Sequence, residues 1–204
     1  MSHTLTKFVV GKGSGSSIRE LGKLKNLQGT LSISKLQNVV PPKDALNAGL
    51  KDKKHLEKLA LEWDATTPRS ESERIVLESL RPHTSLKSLT IKGYGGGIFP
   101  DWPFGGLKVL RFEKMSGWEE WLSSSSAENE GGGFPDLKEL CIKDCPKLTG
   151  GLPIHIPSLA KLEIDSCPKL VASLLRSQLG AMSEDAEIVL EELPTGRRKL
   201  EVNE

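Results

Sequence analysis

With 204 residues the chain is long enough to bury a sizeable core, as one compact domain or as a row of repeats that share one. Aromatic residues are only 5% of it, so that core must rest on Leu, Ile and Val, the aliphatic plug that a solenoid reuses in every layer. Twenty-eight Lys and Arg against 27 Asp and Glu leave a net charge of +1, which argues against bulk electrostatic capture of nucleic acid or anionic membrane and leaves only local patches.

The three cysteines, Cys141, Cys145 and Cys167, are an odd number inside repeated phrases, unlike a secreted disulfide framework. No basic segment followed by an apolar stretch opens the chain, and no apolar run approaches the ~20 residues that span a bilayer. These features predict a cytoplasmic protein without membrane insertion.

In chain order, a Leu-x-x-Leu-x-Leu template fits Leu5/Phe8/Val10, Leu27/Leu31/Ile33 with one extra residue, Leu56/Leu59/Leu61 and Leu86/Leu89/Ile91. It continues at Leu107/Leu110/Phe112, Leu137/Leu140/Ile142 and Leu159/Leu162/Ile164. The last two copies extend through Cys145 and Leu148, and through Cys167 and Leu170, so one twelve-residue phrase is written twice with an offset of 22. That is the leucine-rich-repeat pattern, within its usual period of about 20 to 29 residues. The middle apolar residues, at 8, 31, 59, 89, 110, 140 and 162, are spaced unevenly.

Leu-x-Leu alternates, so two side chains enter the core while those between them face the other way. The expected fold is therefore α/β, a leucine-rich-repeat solenoid or horseshoe. A curved parallel sheet of about seven short strands lies on its concave side, with helical or irregular return legs. Two legs read as helices. One spans 41–50, with Pro at its start and Leu46 and Leu50 on one face. The other begins at Ser70 with Glu73 as its capping-box partner, carries Val76 and Leu80, and ends before Pro82. The glycine-rich runs 11–17, 95–97 and 123–133 read as loops. Residues 1–175 form the repeat domain. Residues 176–204 read as a degenerate last coil, with Ile188, Leu190 and Leu193 as a weak strand, or as a frayed charged tail.

The segment Ile18-Arg-Glu-Leu-Gly-Lys-Leu-Lys-Asn-Leu-Gln-Gly-Thr-Leu-Ser-Ile33 is followed by Leu59-Ala-Leu-Glu-Trp63, Val76-Leu-Glu-Ser-Leu-Arg-Pro-His83, Ile91-Lys-Gly-Tyr94 and Phe99-Pro-Asp-Trp102. This order resembles the repeat region of plant nucleotide-binding leucine-rich-repeat disease-resistance proteins of the coiled-coil class. Phe134-Pro-Asp-Leu-Lys-Glu-Leu140 and the Cys-Pro-Lys-Leu phrases are similar to their later repeats. The phosphate loop of that family's switch domain is absent from these residues. After Trp102 this chain passes by Pro103-Phe-Gly-Gly106 straight into Leu107, which reads as a deletion beside the fifth strand.

Gly11-Lys12-Gly13-Ser14-Gly15 has the wrong spacing for a phosphate loop, whose lysine follows the second glycine. Cys145 and Cys167 hold the ninth template position, which turns inward, and Cys141 alternates onto the exposed face, so a shared zinc site with His155 would break the repeat. His3, His55, His83 and His155 belong to no catalytic motif. Trp118-Glu-Glu-Trp121, with Trp102 and Phe104, has two readings: an exposed hot spot or, as is usual for aromatics in return legs, a cap over the edge of the core.

The residues between the leucines are the candidate binding face: Lys58, Glu62, Thr90, Lys92, Arg111, Glu113, Glu139, Lys143, Lys161, Glu163 and Asp165. Their mixed charge suits a protein partner better than nucleic acid. No cofactor, metal or catalytic residue is expected. The resemblance implies a recognition and autoinhibitory module of an immune receptor. Its partner would be a pathogen effector, a guarded host protein or the receptor's own nucleotide-binding domain. The alternatives are a free-standing scaffold or adaptor, such as the substrate-binding part of a ubiquitin ligase complex, and a non-functional truncated relative.

Overall fold

The computed structural model describes residues 5–64, 71–100, 102, 104–121, 134–149, 156–177, 187–191 and 197–199, with side chains through residue 174. Its strands are β1 (Lys7–Val9), β2 (Gly29–Ser34), β3 (Leu56–Glu62), β4 (Ser88–Lys92), β5 (Ile98–Phe99), β6 (Val109–Glu113), β7 (Glu120–Trp121), β8 (Glu139–Lys143), β9 (Lys161–Asp165), β10 (Glu187–Glu191) and β11 (Arg197–Lys199). The main sheet runs β1-β2-β3-β4-β6-β8-β9-β10-β11, and β5 pairs with β7 in a separate ribbon. Every neighbouring pair in the main sheet is parallel except β10 with β11.

The seven template strands form one ladder, as the repeat pattern predicts. Leu31, Leu59, Leu89, Leu110, Leu140 and Leu162 stand in one row, and Ile33, Leu61, Ile91, Phe112, Ile142 and Ile164 in the next. All twelve are buried. Each such side chain contributes roughly 1.5–3 kcal/mol by leaving water, and stacking makes the neighbouring coil the shelter for every layer. The junction after Trp102 interrupts nothing here, because β4 and β6 pair from Ser88↔Val109 to Lys92↔Glu113.

The two ends depart from the template. Phe8 lies opposite Ile33 rather than Leu31. This register buries Val10, whereas Phe8 and Leu5 are only partly covered on an edge strand with no preceding coil. The extra residue of the second copy appears as a register shift between Gly29 and Thr30, and Gly29 there adopts φ +78°. At the other end β10 adds a parallel strand to β9, with Ile188 opposite Leu162 and Leu190 opposite Ile164, and β11 returns antiparallel. Leu193 and the loop at 123–133 lie outside the described residues.

A single backbone device recurs after the strands. Lys35, Gly93, Lys114, Asp144 and Ser166, each two residues past the last template apolar residue, have φ between 52° and 71°. This left-handed turn swings the following side chain inward, and Leu36, Tyr94, Met115, Cys145 and Cys167 are all buried. The turn also extends the ladder: Gly93 N–H donates to Glu113 O (2.9 Å), Lys114 N–H to Lys143 O (2.9 Å) and Asp144 N–H to Asp165 O (3.0 Å). After β3 the same place is taken by Trp63, which is buried edge-on against Tyr94 at 5.4 Å between ring centroids.

The return legs are mostly tighter than α-helix. Expected as a helix over 41–50, the second leg, between β2 and β3, is a 3₁₀ helix at Pro42–Ala48 with a further turn at Leu50–Asp52. With three residues per turn the inward pair is Ala45 and Ala48, so Leu46 does not share a face with Leu50 and is 61% exposed. Ile18–Lys23 is also 3₁₀, capped by Ser17 and Glu20. Lys53 is buried beneath it, donating from Nζ to Leu21 O and Leu24 O at 2.8 Å each, and burial lowers its pKa.

The helix α1 (Glu71–Ser79) forms where the 3.6-residue period predicts it, with Val76 and Leu77 buried. Ser70, its expected cap, lies outside the described residues. Glu73 is buried, and its Oε2 accepts from Gly95 N–H at 2.9 Å. The run at 95–97 is thus a packed loop: a Cβ on Gly96 would sit 2.1 Å from the Tyr94 hydroxyl oxygen. A second helix, α2 (Pro168–Ser177), follows β9 with Leu170, Val171 and Leu174 buried.

Candidate binding face

The alternation of the strands brings all eleven candidate residues to the open face of the sheet, opposite the leucine rows, and the ladder arranges them in lines across the strands. Lys58, Glu139 and Lys161 share the line Lys58-Ser88-Val109-Glu139-Lys161. Thr90, Arg111 and Glu163 share Ala60-Thr90-Arg111-Cys141-Glu163. The third line, Glu62-Lys92-Glu113-Lys143-Asp165, alternates in sign at every strand. Lys58 is exposed and the other ten are half-buried by their neighbours.

Opposite charges about one strand spacing apart pair directly. Lys92 Nζ lies 3.6 Å from Glu113, Arg111 lies 3.3 Å from Glu139, and Lys143 reaches Glu163 at 2.5 Å and Lys161 the same carboxylate at 3.7 Å. The hydrogen bond from Lys143 holds the Glu163 carboxyl below the usual carboxylate range, and the same bond raises the Lys143 ammonium. Toward β2 the face changes character, with Ser32, Ala60, Ser88 and Thr90 giving a low, uncharged surface.

Cys141 occupies its expected open-face position but is not exposed, a correction to the sequence reading. Its small side chain lies between Arg111 and Glu163, and only 3% of it reaches solvent. Burial, with Glu163 adding to it, raises its pKa and keeps it a thiol. Cys145 and Cys167 form a different unit under the sheet end. Cys145 N–H donates to Cys167 Sγ (3.3 Å), Cys145 Sγ to Lys143 O (3.3 Å), and Cys167 Sγ to Asp165 O (3.1 Å). The two thiols therefore serve backbone groups left by the left-handed turns.

The aromatic residues form a cap. Phe99 and Trp121 are paired across β5 and β7, Trp118 lies 4.6 Å from Phe112, and Phe104 stacks on Phe134 at 6.1 Å. Trp118, Trp102 and Phe104 are buried and Trp121 is partly buried, with Trp118 Nε1 donating to Glu120 O. The spacing of Ile98-Phe99 and Glu120-Trp121 gives no strand signal, because each is only two residues long.

His83 accepts from Ser85 N–H at 3.1 Å in a turn and His55 is exposed in the preceding one; His3 and His155 lie outside the described residues. Among the described residues no group of three or more His, Cys, Asp or Glu side chains is arranged to hold a metal, and no helix is long and apolar enough to cross a membrane. The face offers paired charges, hydroxyls and small side chains.

Residues 18–145 match the family described as R13L1/DRL21 LRRs. An RPP13-like disease-resistance protein of Arabidopsis thaliana is 33% identical over 77% of this chain and 22% of its own length. The disease-resistance proteins RGA1 and RGA2 of Solanum bulbocastanum are 34% identical over 74% and 45% identical over 48% of it, covering 18% and 10% of their own lengths. The chain thus spans about a fifth or less of these relatives. The Arabidopsis alignment runs over 229 positions, more than this chain possesses, so that relative carries residues within the matched span that have no counterpart here. By its repeat ladder and the matched stretch, the chain belongs to the R13L1/DRL21 leucine-rich repeats and is similar over most of its length to plant disease-resistance proteins.

Proposed function

We propose that this chain is the protein-recognition and autoinhibitory region of a plant intracellular immune receptor, acting in defence by binding through its open face and without catalysis. The observation that carries the reading is the uninterrupted line Glu62-Lys92-Glu113-Lys143-Asp165 beside two further polar lines on one rigid sheet. Strands fixed at both ends present these side chains with little freedom to lose on binding, which favours affinity for a folded protein surface. Disease resistance in the names of the relatives supports the setting.

The test is coprecipitation with the nucleotide-binding portion of a full-length receptor of this family from which the repeats have been removed. The chain should bind that portion and silence its cell-death signal on coexpression in leaves. Reversing Lys92, Glu113 and Lys143 together should weaken both effects at least tenfold, whereas reversing the exposed Arg74 and Glu78 on α1 should not. Equal binding by the two variants would remove the open face from the interface.

A further inference from the structure

Charge is arranged in two contrasting ways on this sheet. On the open face Lys92, Arg111, Lys143 and Lys161 each lie against a neighbouring carboxylate. At the edge where the strands begin, the residue after the first template leucine is Lys87, Lys108 and Lys138 in three successive coils. Their backbones are laddered directly, Lys108 N–H to Lys87 O at 2.8 Å and Lys138 N–H to Lys108 O at 2.9 Å, so the three side chains leave the edge in one column. All three are exposed. Like charges repeated at the strand spacing of about 4.8 Å repel one another.

Toward β2 the column itself passes to Glu57, whose carbonyl accepts from Lys87 N–H, and lysines recur only in the turns before the strands. Lys25 and Lys54 hold equivalent places two residues before Leu27 and Leu56, and both are exposed. Of the column, Lys87 meets Glu57. Lys25, Lys54, Lys108 and Lys138 have no ion-pair partner among the described residues. Asp136, in the turn before Lys138, is an exposed carboxylate beside the column. The whole chain carries only +1, so the column is a local concentration of charge and not part of a generally basic chain.

We propose that the strand-entry edge, centred on Lys87, Lys108 and Lys138, is a second interaction surface that docks an extended acidic segment of a protein. A run of consecutive Asp and Glu residues supplies carboxylates on one side about every 6.8 Å, so a segment of about four residues spans the column. A protein chain fits better than nucleic acid for two reasons. Point-charge lysines line the edge with no arginine fork among them, and the rings of the aromatic cap are turned into the core, leaving no stacking platform.

The probe is a fluorescein-labelled peptide of eight alternating Glu and Asp residues, read by anisotropy at 50 and 150 mM salt. It should bind the chain and weaken with salt. The triple variant Lys87→Glu, Lys108→Glu, Lys138→Glu should lose at least tenfold in affinity. A control with the same charge change, Lys7→Glu, Lys12→Glu, Lys43→Glu, should lose less than threefold. Circular dichroism establishes that both are folded, and the milder Lys→Gln triple stands in if the reversal is not. No binding at 50 mM salt overturns the proposal, as do equal losses in the two triples. Tighter binding of a labelled eight-nucleotide single strand, or of vesicles rich in phosphatidylserine, than of the peptide overturns it in favour of a nucleic acid or a lipid surface. Failure of the open-face variants in receptor coprecipitation leaves this result untouched, because they alter none of these lysines.

Discussion

Lys114→Gly should stabilise the chain, although it removes a side chain and introduces the most flexible residue. Lys114 has φ 56° in the turn that delivers the buried Met115 to the core. An L residue pays about 1–2 kcal/mol in that conformation. Glycine pays nothing there but loses more backbone freedom on folding, about 0.5–1 kcal/mol. The net gain is about 0.5–1 kcal/mol, or a rise of about 1–4 °C in Tm for a chain of this size. Asp144→Gly, at φ 52°, should gain less, because short polar side chains tolerate the left-handed region. Gly93→Ala, at φ 71°, should run the other way and cost about 1 kcal/mol. Urea unfolding with a common m-value measures all three. A lower midpoint for Lys114→Gly together with an unchanged one for Gly93→Ala would refute the account of the turn.

Lys53→Met keeps the aliphatic stem but strips Leu24 O of its side-chain donor and leaves Leu21 O with only the Leu24 N–H, so it should cost about 1–3 kcal/mol in the same assay; a neutral result would mean that water replaces the ammonium. The Lys143–Glu163 pair should contribute about 0.5–1 kcal/mol in a double-mutant cycle at pH 7. Glu163 titrates below its unfolded value and Lys143 above its own. The coupling should therefore be full between the two unfolded values, about pH 4.3 and 10.4. It should fall as pH drops through the folded pKa of Glu163 or rises through that of Lys143. A coupling that is unchanged at pH 2 would exclude an ion pair.

The ladder was legible because its physics is local. Leu-x-Leu at strand spacing decides which side chains are buried, and that sufficed from Leu31 to Ile164. Where burial depends on what covers a residue, spacing is silent. Cys141 points to the open face as its place in the pleat dictates, yet Arg111 and Glu163 close over it. Leu46 fits an α-helical stripe but faces solvent, because the leg winds with three residues per turn and puts Ala45 and Ala48 inward. Phe8 matches the template but slides two places, because an edge strand has only one neighbour to fix its register. All the candidate face residues lie on one surface, but the lines of alternating charge exist only across strands and are invisible along the chain.

Those lines bear on how an open face of this kind is used. Lys143 already shares Glu163 with Lys161, and Arg111 already has Glu139, so a partner carboxylate gains little by adding to a satisfied cation. Affinity from this face must come from exchange, in which a partner replaces one member of a pair and accommodates the other. A partner lacking either half leaves a half-buried charge without its counterion, which is penalised more than a missing favourable contact. The paired face is thereby set up for discrimination. The unpaired lysines of the strand-entry edge attract any sufficiently acidic chain and release it as salt rises. Long-range capture and close-range choice are thus separated between an edge and the open face of one sheet, and variants in the first should alter association rates and salt dependence while variants in the second alter lifetimes.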